Sequence, residues 1–151
     1  MILNSEIYGI DTNILVYASD KNSIFYSKSR KTIEEIAKGK IFGVITPQNI
    51  LEYISVVTSK KRLSKSVEID SAIKAIEGFI ESGIDIVYPT KESTQLALKF
   101  AEKTGISGRK IFDFYLAATL IENDIKFLIT ANSSDFEKFG GPIRVINPFK
   151  S

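Results

Sequence analysis

Apolar and polar positions follow two rhythms along this chain, and the switching between them predicts its elements. Residues 6–11 form a short apolar run that reads as a buried strand, and TNILVYAS at 12–19 follows as a short helix capped by Asp11 or Thr12. A charged stretch over 26–38 places Ile33, Ile36 and Ala37 on one helical face. IFGVI at 41–45 reads as a second strand, and Thr46-Pro47 opens a helix over 47–60, with proline where its missing N–H costs nothing. Residues 65–82 carry Val67, Ile69, Ala72, Ile73, Ile76, Phe79 and Ile80 at helical spacing, and Gly83 stops the run.

IDIVY at 84–88 then predicts a strand, 90–103 a helix, GISGRK an exposed loop and 111–123 a further helix. A strand at 126–130, a short helical turn after Asp135 and a last strand at 143–146 complete the pattern. Strands separated by helices pair in parallel, so the expected class is α/β: a central parallel sheet of about five strands between helical layers. There is no repeat, low-complexity tract or linker, and the expectation is one domain over 1–151.

Composition narrows the chemistry more than it narrows the fold. The chain has no Cys, which excludes disulfides and thiolate metal sites, and no His, which excludes Ser-His-Asp and Cys-His nucleophiles, histidine-pair ribonuclease chemistry and imidazole zinc sites. Carboxylates, Lys, Tyr, hydroxyls and an oxygen-seeking cation remain. Twenty basic residues against 18 acidic ones give a net charge of +2, too little to argue nucleic-acid binding from charge alone. No run of about 18 apolar residues suggests a membrane span. MILNSEIYGID lacks a basic region followed by a long apolar stretch, so no secretory leader is expected and the expected location is the cytoplasm.

Candidate chemistry sits where predicted strands end. Asp11 closes the first strand, Asn132 and Asp135 follow the strand at 126–130, and Asp113 opens a helix. Each has an ordinary structural reading: Asp11 can cap Asn13 or Ile14, Asp113 can pair with Arg109 or Lys110, and Asn132 with Asp135 can satisfy a turn. Glu52 resists that treatment. It is the only charged residue between Pro47 and Lys60, and its helical neighbours Gln48, Asn49, Ser55 and Val56 offer no counter-ion.

In an open α/β sheet the carboxyl ends of the strands share one rim, so these acids would converge there. Several carboxylates at close range cannot all stay ionised without a cation, and an oxygen-only donor set suits Mg²⁺ or Mn²⁺. Such a site suits phosphodiester hydrolysis. Lys60, Lys61, Arg62 and Lys65, with Arg109 and Lys110, are candidate RNA contacts, although a solvated surface explains them more readily; Tyr17 and Tyr115 are candidate stacking residues, Tyr115 reading more readily as core.

Four segments together resemble the PIN-domain ribonucleases, in particular the VapC-type toxins of prokaryotic toxin–antitoxin pairs. They are YGIDTNILVYA at 8–18, ITPQNILEYISVV at 45–57, DFYLAATLIENDIKFLITANSSDF at 113–136 and VINP at 145–148. The resemblance implies a three-layer α/β/α fold and a Mg²⁺ or Mn²⁺ site built mainly from Asp11 and Asp113. Glu52 would act there as third acid, ligating the metal or placing the attacking water. Many members carry an acid where this chain has Asn132, so one ion is expected rather than two, with Asn132 and Asp135 completing the site. Thr12, Asn13 and Thr130 are expected to orient the carboxylates.

The implied activity is a metal-dependent endoribonuclease, the toxin of a type II toxin–antitoxin pair, with an antitoxin partner and a homodimeric state. The alternatives are an RNA-processing or quality-control nuclease without antitoxin, and a non-catalytic domain that binds RNA or protein. A phosphotransfer receiver also places acids at strand ends, but the single acid after the first strand counts against it.

Overall fold

The structure is a computed structural model, and it describes residues 6–61, 65–137, 139 and 141–150. Within these residues five strands build one sheet: β1 (Ile7–Ile10), β2 (Phe42–Ile45), β3 (Asp85–Ile86), β4 (Phe127–Ile129) and β5 (Arg144–Ile146). All pair in parallel, in the order β3-β2-β1-β4-β5. Among the described residues seven helices connect them: α1 (Thr12–Ser19), α2 (Tyr26–Ala37), α3 (Pro47–Val57), α4 (Ile69–Glu81), α5 (Lys91–Thr104), α6 (Lys110–Glu122) and α7 (Ser133–Glu137).

Two hydrophobic clusters make the three layers. On one side of the sheet, Ile14 and Leu15 of α1, Ile33 and Ile36 of α2, Tyr53 of α3 and Ile76 and Phe79 of α4 pack together. On the other, Ala97 of α5 and Phe114, Ala117 and Leu120 of α6 meet Leu128, Phe136 and Phe139. Helix and sheet approach closely at β1: a Cβ on Gly9 would stand 2.5 Å from Leu120 Cδ1, which is why a glycine interrupts the apolar run there.

The chain leaves β1 toward β2 and returns to β1's other side only at β4, so the strand order reverses between β1 and β4. That reversal is the position at which an open parallel sheet leaves a crevice at its carboxyl edge. The ladders continue one residue past the strands, with Asp11 N–H donating to Ile129 O at 3.0 Å and Thr130 N–H to Ile146 O at 3.0 Å. Asp11 and Thr130 therefore face each other across the switch point.

Four expected boundaries are corrected. The helix expected at 65–82 starts at Ile69, because the Val67 N–H donates to Val57 O at 2.9 Å and holds that segment extended along the end of α3. The helix expected at 47–60 stops at Val57. The strand expected at 84–88 is reduced to two residues, since Ile84 N–H is drawn back to Phe79 O at 3.2 Å behind Gly83, whose φ is +118°. The helical turn expected after Asp135 begins two residues earlier, at Ser133.

Candidate metal centre

Asp11 is buried at the start of α1 and is held by several donors. One carboxylate oxygen accepts from the Thr12 N–H at 2.7 Å; the other accepts from the Thr130 hydroxyl at 2.6 Å and from Asn13 Nδ2 at 3.3 Å. The cap acceptor of α1 thus bonds Thr12 rather than Asn13 or Ile14. Asn13 also spans to the β4 side, donating to Thr130 Oγ1 at 3.3 Å and accepting from the Ala131 N–H at 3.2 Å. Thr130 accepts from the Asn132 N–H at 3.0 Å, and Asn147, in the tail segment VINP, donates to Ala131 O at 3.1 Å. The turn after β4 is fastened to Asp11 by side chains from both ends of the chain.

Glu52 is half-buried, and its missing counter-ion is replaced by neutral donors. Thr12 Oγ1 donates to Oε2 at 3.0 Å and Gln48 Nε2 to Oε1 at 2.7 Å. Asn49, completely buried, donates to Thr12 Oγ1 at 3.0 Å while its own oxygen accepts from Thr46 N–H and Oγ1 at 2.9 and 3.0 Å. The Thr46/Asn49 capping box that starts α3 is therefore also the anchor of the Thr12–Glu52 contact.

Asp113 occupies the first turn of α6, where the helix dipole favours an anion. Burial nevertheless pushes its carboxyl up to about 7, and the charges of Asp11, Asp135 and Glu52 add to that; Lys110 opposes them and is outweighed. Asp11 is raised to about 6, chiefly by burial and further by Glu52, against the lowering effect of the Thr130, Thr12 and Asn13 hydrogen bonds. The four acids thus feel one another across the rim.

A cleft of about 330 Å³ opens over this arrangement, walled by Asp11, Thr12, Asn13, Glu52, Asp113 and Asn132, with Tyr17 at one side. The structure brings together there every acid singled out in the sequence except Asp135, which reaches Asp113 through its charge from the first turn of α7. No three acidic side chains among the described residues stand close enough to enclose an ion directly.

Tyr17 is not a free stacking platform. It packs 4.9 Å from Phe25 and 5.7 Å from Phe149, ring centre to ring centre. Tyr115 is half-buried against the second core cluster. Lys60, Lys61 and Lys65 are exposed beyond the end of α3, and Arg62 lies outside the described residues. Arg109 is better placed: it borders a second cavity of about 430 Å³ that shares Glu52 with the acidic cleft and is lined by Leu51, Phe112, Pro47 and Pro89. Lys110 is exposed beside it.

Gln48, Asn49 and Thr46 are the site residues that the sequence reading passed over. The signal was present: Gln48 lies four residues before Glu52, where helix geometry brings an amide and a carboxylate together.

The PIN domain family model matches residues 8–142. No curated protein sequence matches the chain. Among solved structures, the chain is similar to one in VapBC2 from Rickettsia felis bound to a DNA fragment from its promoter, at 22% identity over 93% of this chain and 98% of that one, with a TM-score of 0.68. A chain of VapBC-1 from nontypeable Haemophilus influenzae matches at 21% identity over 95% and 99%, TM-score 0.68. Mycobacterium tuberculosis VapC20, a sarcin-ricin loop cleaving toxin, shares the fold at 9% identity over 80% and 86%, TM-score 0.61. With the family model spanning most of its length and the same fold recurring in these structures, the chain belongs to the PIN domain family.

Proposed function

We propose that this chain is a single PIN domain over 1–151 that hydrolyses RNA internally with the help of Mg²⁺ or Mn²⁺. The observation that carries the reading is the gathering of Asp11, Glu52 and Asp113 at one cleft, within reach of the Asp135 charge, where burial first and the neighbouring acids second raise Asp11 to about 6 and Asp113 to about 7. The donor set fits a hard divalent cation: all its donors are oxygen, and they line an open cleft. Mg²⁺ keeps several waters and takes phosphate oxygens, so two carboxylates suffice to bind it directly. We assign those two roles to Asp11 and Asp113.

Such an ion, when bound, polarises a water and neutralises charge on the phosphate. The chain's own groups do the rest. Thr130, Asn13 and the Thr12 amide hold Asp11 in one orientation. Glu52, with each oxygen engaged by one donor, keeps lone pairs free to accept a proton from the attacking water. Asn132 at the lip of the cleft offers a neutral amide to the substrate, and Asp135 adds negative charge behind Asp113. Arg109 and Lys110 receive the RNA backbone on the side facing the second cavity; the lysines at 60, 61 and 65 form a more distant basic surface.

We further infer that the chain is the toxin of a type II toxin–antitoxin pair and acts in the cytoplasm. Its similarity to chains of VapBC complexes supports a small antitoxin as partner. An arginine laid over the acidic cleft would inhibit by charge-assisted hydrogen bonds. A homodimer is supported by the apolar surface at Leu51 and Phe112, 70% and 51% exposed. No helix among the described residues is long and apolar enough to cross a membrane.

The test is cleavage of total cellular RNA by the purified chain with Mn²⁺, with chelator, and as Asp113→Asn. Cuts that need both the ion and Asp113 support the reading. Full activity in Asp113→Asn removes the proposed site.

A further inference from the structure

Gln48 stands in the first turn of α3, one turn before Glu52. Its Nε2 carries two hydrogens and meets two acceptors: Glu52 Oε1 at 2.7 Å and the Phe112 carbonyl at 3.0 Å. Neither partner can donate, so the amide nitrogen must face them, and the reverse orientation would set oxygen against oxygen. Phe112 immediately precedes Asp113 in α6. One planar amide thus joins the Glu52 carboxylate to the backbone that carries Asp113.

The other Glu52 oxygen is bonded to Thr12, the neighbour of Asp11. Glu52 is consequently fixed from two directions, toward the strand end that presents Asp11 and toward the helix start that presents Asp113. Local helix chemistry accounts for only half of this. An amide–carboxylate pair four residues apart is an ordinary surface contact, whereas the bond to Phe112 reaches across 64 residues. The Phe112 carbonyl lies inside α6 and already serves the helix ladder, so it does not need Gln48 for satisfaction.

The arrangement also leaves a cost visible. Gln48 Oε1 is buried and has no hydrogen-bond partner among the described residues. A buried, unpaired amide oxygen opposes folding, and a residue serving only packing would be better apolar.

We propose that Gln48 is a positioning residue that sets the separation of Glu52 from Asp113 and thereby tunes the affinity of the acidic cleft for a divalent cation; its consequence for cleavage rests on the nuclease reading above. It touches neither the ion nor the RNA in this role. The contribution runs through Glu52, which gives it a signature distinct from that of a ligand.

Gln48→Met keeps the length of the side chain and removes both donors and the unpaired oxygen. Three quantities are measured: melting in chelator, Mn²⁺ affinity by calorimetry, and kcat and KM on an RNA substrate. Gln48→Met is expected to melt in chelator at or above the wild-type temperature. It should bind Mn²⁺ about tenfold more weakly or worse, the usual effect of loosening a group that acts on the ion from outside its direct ligands, here Glu52 toward the ion's water. kcat should fall by a similar factor, with KM changed by less than about twofold. In a Glu52→Ala background the same substitution should alter Mn²⁺ affinity by less than about twofold, because the route has been removed. Gln48→Leu serves as a second variant should Gln48→Met pack poorly.

Wild-type Mn²⁺ affinity in Gln48→Met, alongside its loss in Asp113→Asn, overturns the positioning role and leaves the nuclease reading standing. An undiminished effect in the Glu52→Ala background also overturns it. Weakened Mn²⁺ binding in Gln48→Met together with no RNA cleavage by the wild type upholds the positioning role and removes the nuclease reading. A wild-type chain that binds no Mn²⁺ overturns both.

Discussion

The Asp113 carboxyl, raised from 3.8 to about 7 by burial and by three neighbouring acids, makes the metal-free fold sensitive to pH. Between those values the folded chain keeps a proton that the unfolded chain has released. Stability in chelator should therefore fall as pH rises from about 4 to about 7 and level off above. Asp113→Asn should flatten much of that slope and stabilise the chelated protein at pH 8 by roughly 1–2 kcal/mol, allowing for the partial exposure of the group. Melting curves of both proteins across pH test this, and parallel curves would refute the proposed crowding. Thr130→Val should act in the opposite sense. It removes the 2.6 Å donor to Asp11 and costs roughly 1.5–3 kcal/mol, measurable by urea unfolding at neutral pH.

At the scale of elements, α3 shows both what the sequence could reveal and where it stopped. Pro47 and the threonine before it announced the start of the helix, and Glu52 stood out because apolar residues surround it. One of its partners was hidden for a physical reason: Thr12 approaches it only through tertiary contact, and hydrogen bonds from neutral donors such as Thr12 and Gln48 leave no charge pattern. The strand ends were easier. Asp11 and Thr130 follow apolar runs whose parallel pairing could be inferred from the intervening helices, so their convergence was predictable without coordinates. Element ends were harder, since Val67 is held extended by a bond to Val57 that no periodicity encodes. Because Thr46 caps α3 and anchors Asn49, Thr46→Ala should cost about 1 kcal/mol. It should also weaken Mn²⁺ binding, since Asn49 steadies Thr12; calorimetry with unchanged affinity would show that the cap is structural alone.

The whole molecule places its acids at the switch point between β1 and β4, and a cation there would bind the folded chain but not the unfolded one. Saturating Mn²⁺ at 100 times its dissociation constant should stabilise the fold by about 2.7 kcal/mol. Asp11→Asn should blunt the resulting rise in melting temperature, and an equal rise in that variant would locate the ion elsewhere.

The most direct test of the account is the chemistry of the ends it leaves on RNA. A chain without histidine, using carboxylates and a divalent ion, should direct water and not the ribose 2′-hydroxyl at phosphorus. Cleavage of a defined RNA in Mg²⁺ should yield 5′-phosphate and 3′-hydroxyl ends, and a single 2′-deoxy substitution at the scissile nucleotide should still be cut. Blocked cleavage of the substituted RNA, with 2′,3′-cyclic phosphate ends from the unmodified one, would contradict the roles given to Asp11, Glu52 and Asp113.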